Sequence, residues 1–255
     1  MLRGHQRRTA SLGYEALNIQ GGRPVQGAVH MRAVDATSMH ARTNRGVLFA
    51  LIEVPLGGAM SAGLYDELLT TLAHTYYDVA GSITRGLRDA LLAANTLLFE
   101  RNLRADSAHR VVAGLNCVVK RDEDVYIAQL GPALTMMVSQ GALVRYPAES
   151  AWLANPNPGA LEMSREPPAG LRRDAEPDLY HTSFMDGDVI VVGFTALRRL
   201  AQEERGRVPG VAPREIRRQL GRIRTQQGEA ATLERRADAL SARGAGGPGD
   251  GLGHA

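Results

Sequence analysis

The stretch VVAGLNCVVKRDEDVYIAQLGPALTMMVSQGALVRY, residues 111–146, decides the fold. It holds four apolar runs, Val111 to Val119, Val125 to Leu130, Leu134 to Val138 and Ala142 to Tyr146, each the length of a strand. Turn formers separate them: Lys120-Arg121-Asp122-Glu123-Asp124, Gly131-Pro132 and Ser139-Gln140-Gly141. Connections this short join antiparallel neighbours, because a parallel pair needs a crossover of a dozen or more residues. The stretch therefore reads as an antiparallel meander and not as a βαβ alternation.

Upstream of the meander the period changes to that of helices. Leu64, Leu68, Leu72 and Tyr76 recur every four residues, with Asp66, Glu67 and Thr70 on other faces. In a second helix Ser82 is the expected N-cap, and Leu87, Ala90, Leu91, Ala94 and Leu98 line one side. Before both, the continuous run Val47 to Ile52 fits a strand buried on two faces, stopped by the breakers Pro55-Leu56-Gly57-Gly58. Gly27 to Arg32 alternates as a short strand does. Downstream, Pro147, Pro156, Pro158, Pro167, Pro168 and Pro177 predict a long irregular excursion over about Pro147 to Asp186. Asp186-Gly187-Asp188 then turns the chain into a buried strand, Val189 to Val192. After Pro213 a helix is expected, with Ile216, Leu220 and Ile223 on one face. A helix pair followed by antiparallel strands argues for an α+β domain in which helices cover sheets.

Composition narrows the class without naming a function. With 255 residues, 44% apolar and 22% charged, the chain is an ordinary globular one, which excludes collagen-like, coiled-coil and wholly disordered classes. Lys120 is its one lysine, and a formal charge of +3 makes a weak case for nucleic-acid or anionic-membrane partners. The single cysteine, Cys117, lies in an apolar run and reads as a core residue. Arg3, Arg7 and Arg8 are followed by no apolar stretch of the kind an export signal has, and Val189 to Phe194 is too short to span a bilayer, so a cytoplasmic location is expected. The histidines show no His-Glu-x-x-His spacing, no Gly-Lys-Ser/Thr loop follows a glycine pair, and no Gly-x-Ser-x-Gly elbow occurs. The arginines of the Arg214 to Arg224 stretch are spread around the helix and no aromatic interleaves them, so a solvated surface helix is the better reading and a nucleic-acid interface the weaker one.

The order of elements resembles the type 2C, metal-dependent serine/threonine protein phosphatases in their bacterial form. Four segments carry the resemblance. Leu48 to Gly58 stands where the family has a buried strand ending in Asp-Gly-x-Gly-Gly, and Ala94-Asn95 matches an Ala-Asn pair of the second helix. Gly114 to Cys117 with Tyr126 to Ala133 matches the central hairpin, and Gly187 to Leu197 matches Gly-Asp-x-Leu-Leu-Leu-x-Ser-Asp-Gly-Leu. The resemblance implies a four-layer α-β-β-α sandwich: two antiparallel sheets packed face to face and flanked by helices. It implies a phosphatase-like domain over residues 25–237, between a flexible segment 1–24 and a disordered glycine-rich tail 238–255.

The family works with two Mg²⁺ or Mn²⁺ ions bridged by carboxylates, which generate a hydroxide nucleophile and neutralise the phosphoryl oxygens. On the resemblance, those positions are degenerate here. The bridging aspartate of the first turn falls at Glu53, and the next glycine is Val54, with Pro55 inserted. The hairpin aspartate falls at Pro132 and that of Ser-Asp-Gly at Thr195. The phosphate-binding arginine is replaced by His30, and the two acids after it by Val34 and Asp35. A last metal-binding aspartate falls near Glu229, if Thr232 is the matching threonine. Too few carboxylates remain for two ions, so no metal and no catalytic residue is expected, and the chain is expected to bind a protein partner. The alternative is an active phosphatase whose rearranged Mg²⁺ or Mn²⁺ centre uses Asp35, Glu53 and Glu229, which requires the three carboxylates to converge.

Overall fold

The computed structural model describes residues 12–20, 23–25, 29–35, 45–55, 57–140, 142–198 and 228–235. In chain order the strands are β1 (Leu12–Gln20), β2 (Arg23–Val25), β3 (Met31–Val34) and β4 (Val47–Glu53), followed by helices α1 (Ala62–Asp78) and α2 (Ile83–Arg104). The meander follows as β5 (Gly114–Arg121), β6 (Asp124–Leu130), β7 (Leu134–Ser139) and β8 (Ala142–Tyr146). Then come two short helices, α3 (Ala151–Ala154) and α4 (Ala160–Arg165), and the strands β9 (Asp178–Ser183), β10 (Val189–Gly193) and β11 (Gly228–Arg235). All sheet pairings are antiparallel. One sheet has the order β3-β4-β5-β6-β9, the other β2-β1-β11-β10-β7-β8.

The continuous apolar runs are explained by what lies on each side of the five-stranded sheet. Leu48, Ala50 and Ile52 of β4 join Leu115, Cys117 and Val119 of β5 under α1 and α2. The alternate residues Phe49, Leu51, Val118 and Ile127 face Met137, Ile190 and Val192 of the other sheet. A strand covered twice has no polar face to show, so period-2 alternation disappears from its sequence. Each large apolar side chain in these layers contributes ~1.5–3 kcal/mol on burial. In the six-stranded sheet, Leu134, Met136, Val189 and Val191 alternate with the inward residues and are buried as well.

Both helices begin where a serine caps them. The Leu64 N–H donates to Ser61 Oγ at 3.3 Å, and the Arg85 N–H donates to Ser82 Oγ at 3.1 Å. Arg45, 6% exposed, joins the helices to β4: its guanidinium donates to the carbonyls of Val79 (2.7 Å) and Ser82 (3.0 Å) and lies over the Tyr76 ring. A cation is well placed there, against the negative end of the α1 dipole.

Three elements depart from the sequence expectation. Leu12–Gln20, within the segment expected to be flexible, is a nine-residue strand paired with β11 from Leu12 opposite Arg235 to Ile19 opposite Gly228. The excursion 147–186 is not irregular throughout, since it contains α3, α4 and the edge strand β9. The early strand is β3, from Met31 to Val34, later than the alternation of Gly27 to Arg32 suggests. The helix expected after Pro213 and the tail 238–255 lie outside the described residues.

Candidate functional site

β4 and β10 belong to different sheets, and both end at the same end of the sandwich. Glu53 is the last residue of β4, and its odd-numbered register with Phe49 and Leu51 turns it into the layer between the sheets. Thr195 follows β10 by two residues and opens a single 3₁₀ turn, Thr195–Leu197. The two residues meet. The Thr195 N–H donates to Glu53 Oε2 at 2.7 Å, and the Thr195 hydroxyl donates to Glu53 Oε1 at 2.5 Å. Glu53 is 9% exposed and Thr195 4%. Burial pushes the Glu53 carboxyl up to about 7, against the pull of the Thr195 hydrogen bonds and of the Arg198 charge.

The remaining positions surround this pair or lie away from it. Pro132 is buried in the β6–β7 turn, and Gly114, opposite Glu53 in register, is pressed so closely on it that a Cβ there would fall 1.6 Å from the Pro132 carbonyl oxygen. Val54 is partly buried against the helix-side core. His30 packs edge-on against Tyr65 and Phe194, with ring centroids 4.3 and 5.7 Å apart. The His30 carbonyl accepts from the Ile52 N–H at 2.8 Å, so Val29, 55% exposed, sits in register beside Glu53. Glu229 lies in β11 one residue before Ala230, the partner of Gly193, which brings its backbone to the same end of the sandwich.

Asp35 does not come to the site. β3 pairs with β4 from Met31 opposite Leu51 to Val34 opposite Leu48, which carries Asp35 to the level of Val47, the first residue of β4. Six residues of strand separate that point from Glu53, ~20 Å. Val34 is buried there and its carbonyl accepts from the Tyr77 hydroxyl at 2.7 Å. The convergence of Asp35, Glu53 and Glu229 therefore fails at Asp35. The acids that the resemblance places at Val34 and Asp35 fall, by register, five and six residues of strand from Glu53.

These residues do not fit a divalent pair. Hard cations of this kind take about six oxygen ligands, most of them charged or water. Both oxygens of Glu53 are engaged by Thr195, Pro132 offers no side-chain oxygen, and among the described residues no three His, Cys, Asp or Glu side chains group so as to hold an ion.

Two asparagines of α2 do work that their match to a family motif does not disclose. Asn95, fully buried, donates to the carbonyls of Arg172 and Arg173 and accepts from the Gly170 N–H. Asn102 donates to the Val111 and Gly170 carbonyls and accepts from the Val111 N–H. Together they fasten the excursion after Pro168 onto the helix. Their signal in the sequence is an amide every seven residues on the apolar side of α2.

Two antiparallel sheets face to face, with a helix pair laid on the outer face of one, define the class: this is the fold of the type 2C bacterial serine/threonine phosphatases. Among solved structures the chain is similar to PppA, described as a key regulatory component of T6SS in Pseudomonas aeruginosa, with a TM-score of 0.60 and 15% identity over 89% of this chain and 99% of that one. It is similar to Stp1 of Staphylococcus aureus, with a TM-score of 0.62 and 13% identity over 93% and 100% of the two chains. It is similar also to the Mycobacterium tuberculosis phosphatase PstP/Ppp, with a TM-score of 0.57 and 16% identity over 89% and 99%. No family model matches the sequence, and no curated protein does. At such identities the likeness establishes the fold, and chemistry has to be argued from the site. Among the described residues no helix is long and apolar enough to cross a membrane.

Proposed function

We propose that this chain is a catalytically impaired phosphatase-fold domain, a pseudophosphatase, that acts in the cytoplasm by binding and regulating another protein. One observation carries the reading: Glu53, the acid buried at the end of the sandwich among the described residues, has both oxygens committed to Thr195. A metal centre needs carboxylate oxygens free to bind, and a hydroxide nucleophile needs the metal. PppA supports the regulatory side of the reading, since a protein of this fold there serves as a regulatory component. A catalytic domain of PstP was solved in complex with two manganese ions, which sets the comparison for the test.

Titration with Mn²⁺ by calorimetry is expected to show no pair of sites, and p-nitrophenyl phosphate and a phosphothreonine peptide are expected to survive incubation with the protein and Mn²⁺. Two Mn²⁺ sites, or hydrolysis that disappears in Glu53→Ala, would overturn the reading.

A further inference from the structure

Thr195 directs its backbone N–H and its hydroxyl at one carboxyl group, and that group belongs to the opposite sheet. The next row inward between the sheets is polar as well. Asn116 of β5 donates to the Leu134 carbonyl at 2.9 Å, and Thr135 of β7 donates to Asn116 Oδ1 at 3.1 Å. Gln129 of β6 reaches Asn116 Oδ1 (3.2 Å), Thr135 Oγ1 (3.3 Å) and the Tyr146 carbonyl (2.9 Å). All but the Gln129 to Asn116 bond cross from one sheet to the other. Leu51 and Val192 share that row, and further in the layer is apolar, with Phe49, Val118, Ile127 and Ile190. Among the described residues, hydrogen bonds that cross between sheets are thus concentrated at one end of the layer, the long Thr182 to Met137 contact (3.9 Å) apart.

From this placement we infer that the Glu53–Thr195 pair, backed by Asn116, Gln129 and Thr135, is a clasp that fastens the two sheets at that end without an ion. The inference rests on the metal-free reading above and adds what holds the emptied site together. Hydroxyl chemistry keeps the number of hydrogen bonds in the clasp the same in either protonation state. An ionised Glu53 accepts from both Thr195 donors. A neutral Glu53 donates its own O–H to Thr195 Oγ1 while its other oxygen still accepts from the Thr195 N–H, so two bonds persist in either form. Glutamine can do the same, with an amide N–H in place of the acid O–H; alanine cannot.

The test is amide exchange at Thr195, with thermal unfolding, on the full chain. Glu53→Ala is expected to speed Thr195 exchange about tenfold or more, as loss of one buried hydrogen-bond partner does, and to lower Tm by ~5 °C. Glu53→Gln is expected to keep the wild-type protection. Should Glu53→Ala fail to fold, Thr195→Ser and Thr195→Val replace it: serine keeps both bonds and the wild-type Tm, valine loses the hydroxyl bond and melts lower. Exchange in Glu53→Ala as slow as in wild type, or equal Tm values for the serine and valine variants, would sink the clasp while leaving the binding function standing. Phosphatase activity in a protein whose variants behave as expected would sink the functional reading and leave the clasp.

Discussion

Glu53 is a buried acid, and its proton follows. Its carboxyl titrates at about 7 in the folded chain against an ordinary 4.5, with burial as the cause. The folded state then keeps a proton that the unfolded state releases between those values. Stability contributed this way is fully present below about pH 4.5 and is lost as pH rises through about pH 7, by an amount of order ~3 kcal/mol. Chemical denaturation across that window is expected to show wild type losing stability relative to Glu53→Gln as the pH rises. Parallel curves for the two proteins would mean that Glu53 is ionised in the fold throughout. Neither the pairing nor the proton is legible in the sequence. Glu53 and Thr195 stand 142 residues apart, and each by itself looks only like a family position that has lost its metal ligand.

Elements were legible in proportion to how much of their pattern is local. The α1 and α2 stripes, the Ser82 cap, β4 and the meander all follow from spacing within a dozen residues. β1 and β11 do not: they are each other's main partner across more than two hundred residues, and β11, GEAATLER, holds no β-branched residue except Thr232. β9, DLYHTS, is hidden by the prolines before it. The excursion itself is organised by α2. Replacing Asn102 with Leu removes three hydrogen bonds and leaves the Val111 N–H and the Val111 and Gly170 carbonyls without their amide partner, at a cost of ~1–3 kcal/mol for each group left buried and unpaired. Limited proteolysis between α4 and β9 is expected to accelerate in Asn102→Leu. An unchanged cleavage pattern would show that Asn95 alone suffices. Gly114→Ala tests the close approach at the hairpin. Its methyl would collide with the Pro132 backbone, which is not the movable end of a side chain, so a loss of several degrees in Tm is expected, of the size seen for overpacked cores (~1–3 kcal/mol).

At the scale of the whole molecule, Cys117 reports on the fold. It is the only cysteine, sits in the middle of the central strand β5 at 0% exposure, and burial pushes its thiol up to about 12. The thiolate is the reactive form, so a native thiol of this kind is inert and becomes reactive only when β5 loses its cover of α1 and α2. Labelling with iodoacetamide is therefore a measure of global opening and not of local fraying at the site. A ligand that binds only the folded state slows such labelling by the factor 1 + [L]/Kd. An ion held by the native fold would do so, and its chelation would reverse the effect. The expected outcome is a labelling rate that rises steeply with denaturant and is the same with Mn²⁺ and with EDTA. Slower labelling in Mn²⁺ would show an ion bound by the native state and overturn the metal-free reading of the site. Rapid labelling in the absence of denaturant would show instead that α1 and α2 lift readily from the face of β5 on which Cys117 lies.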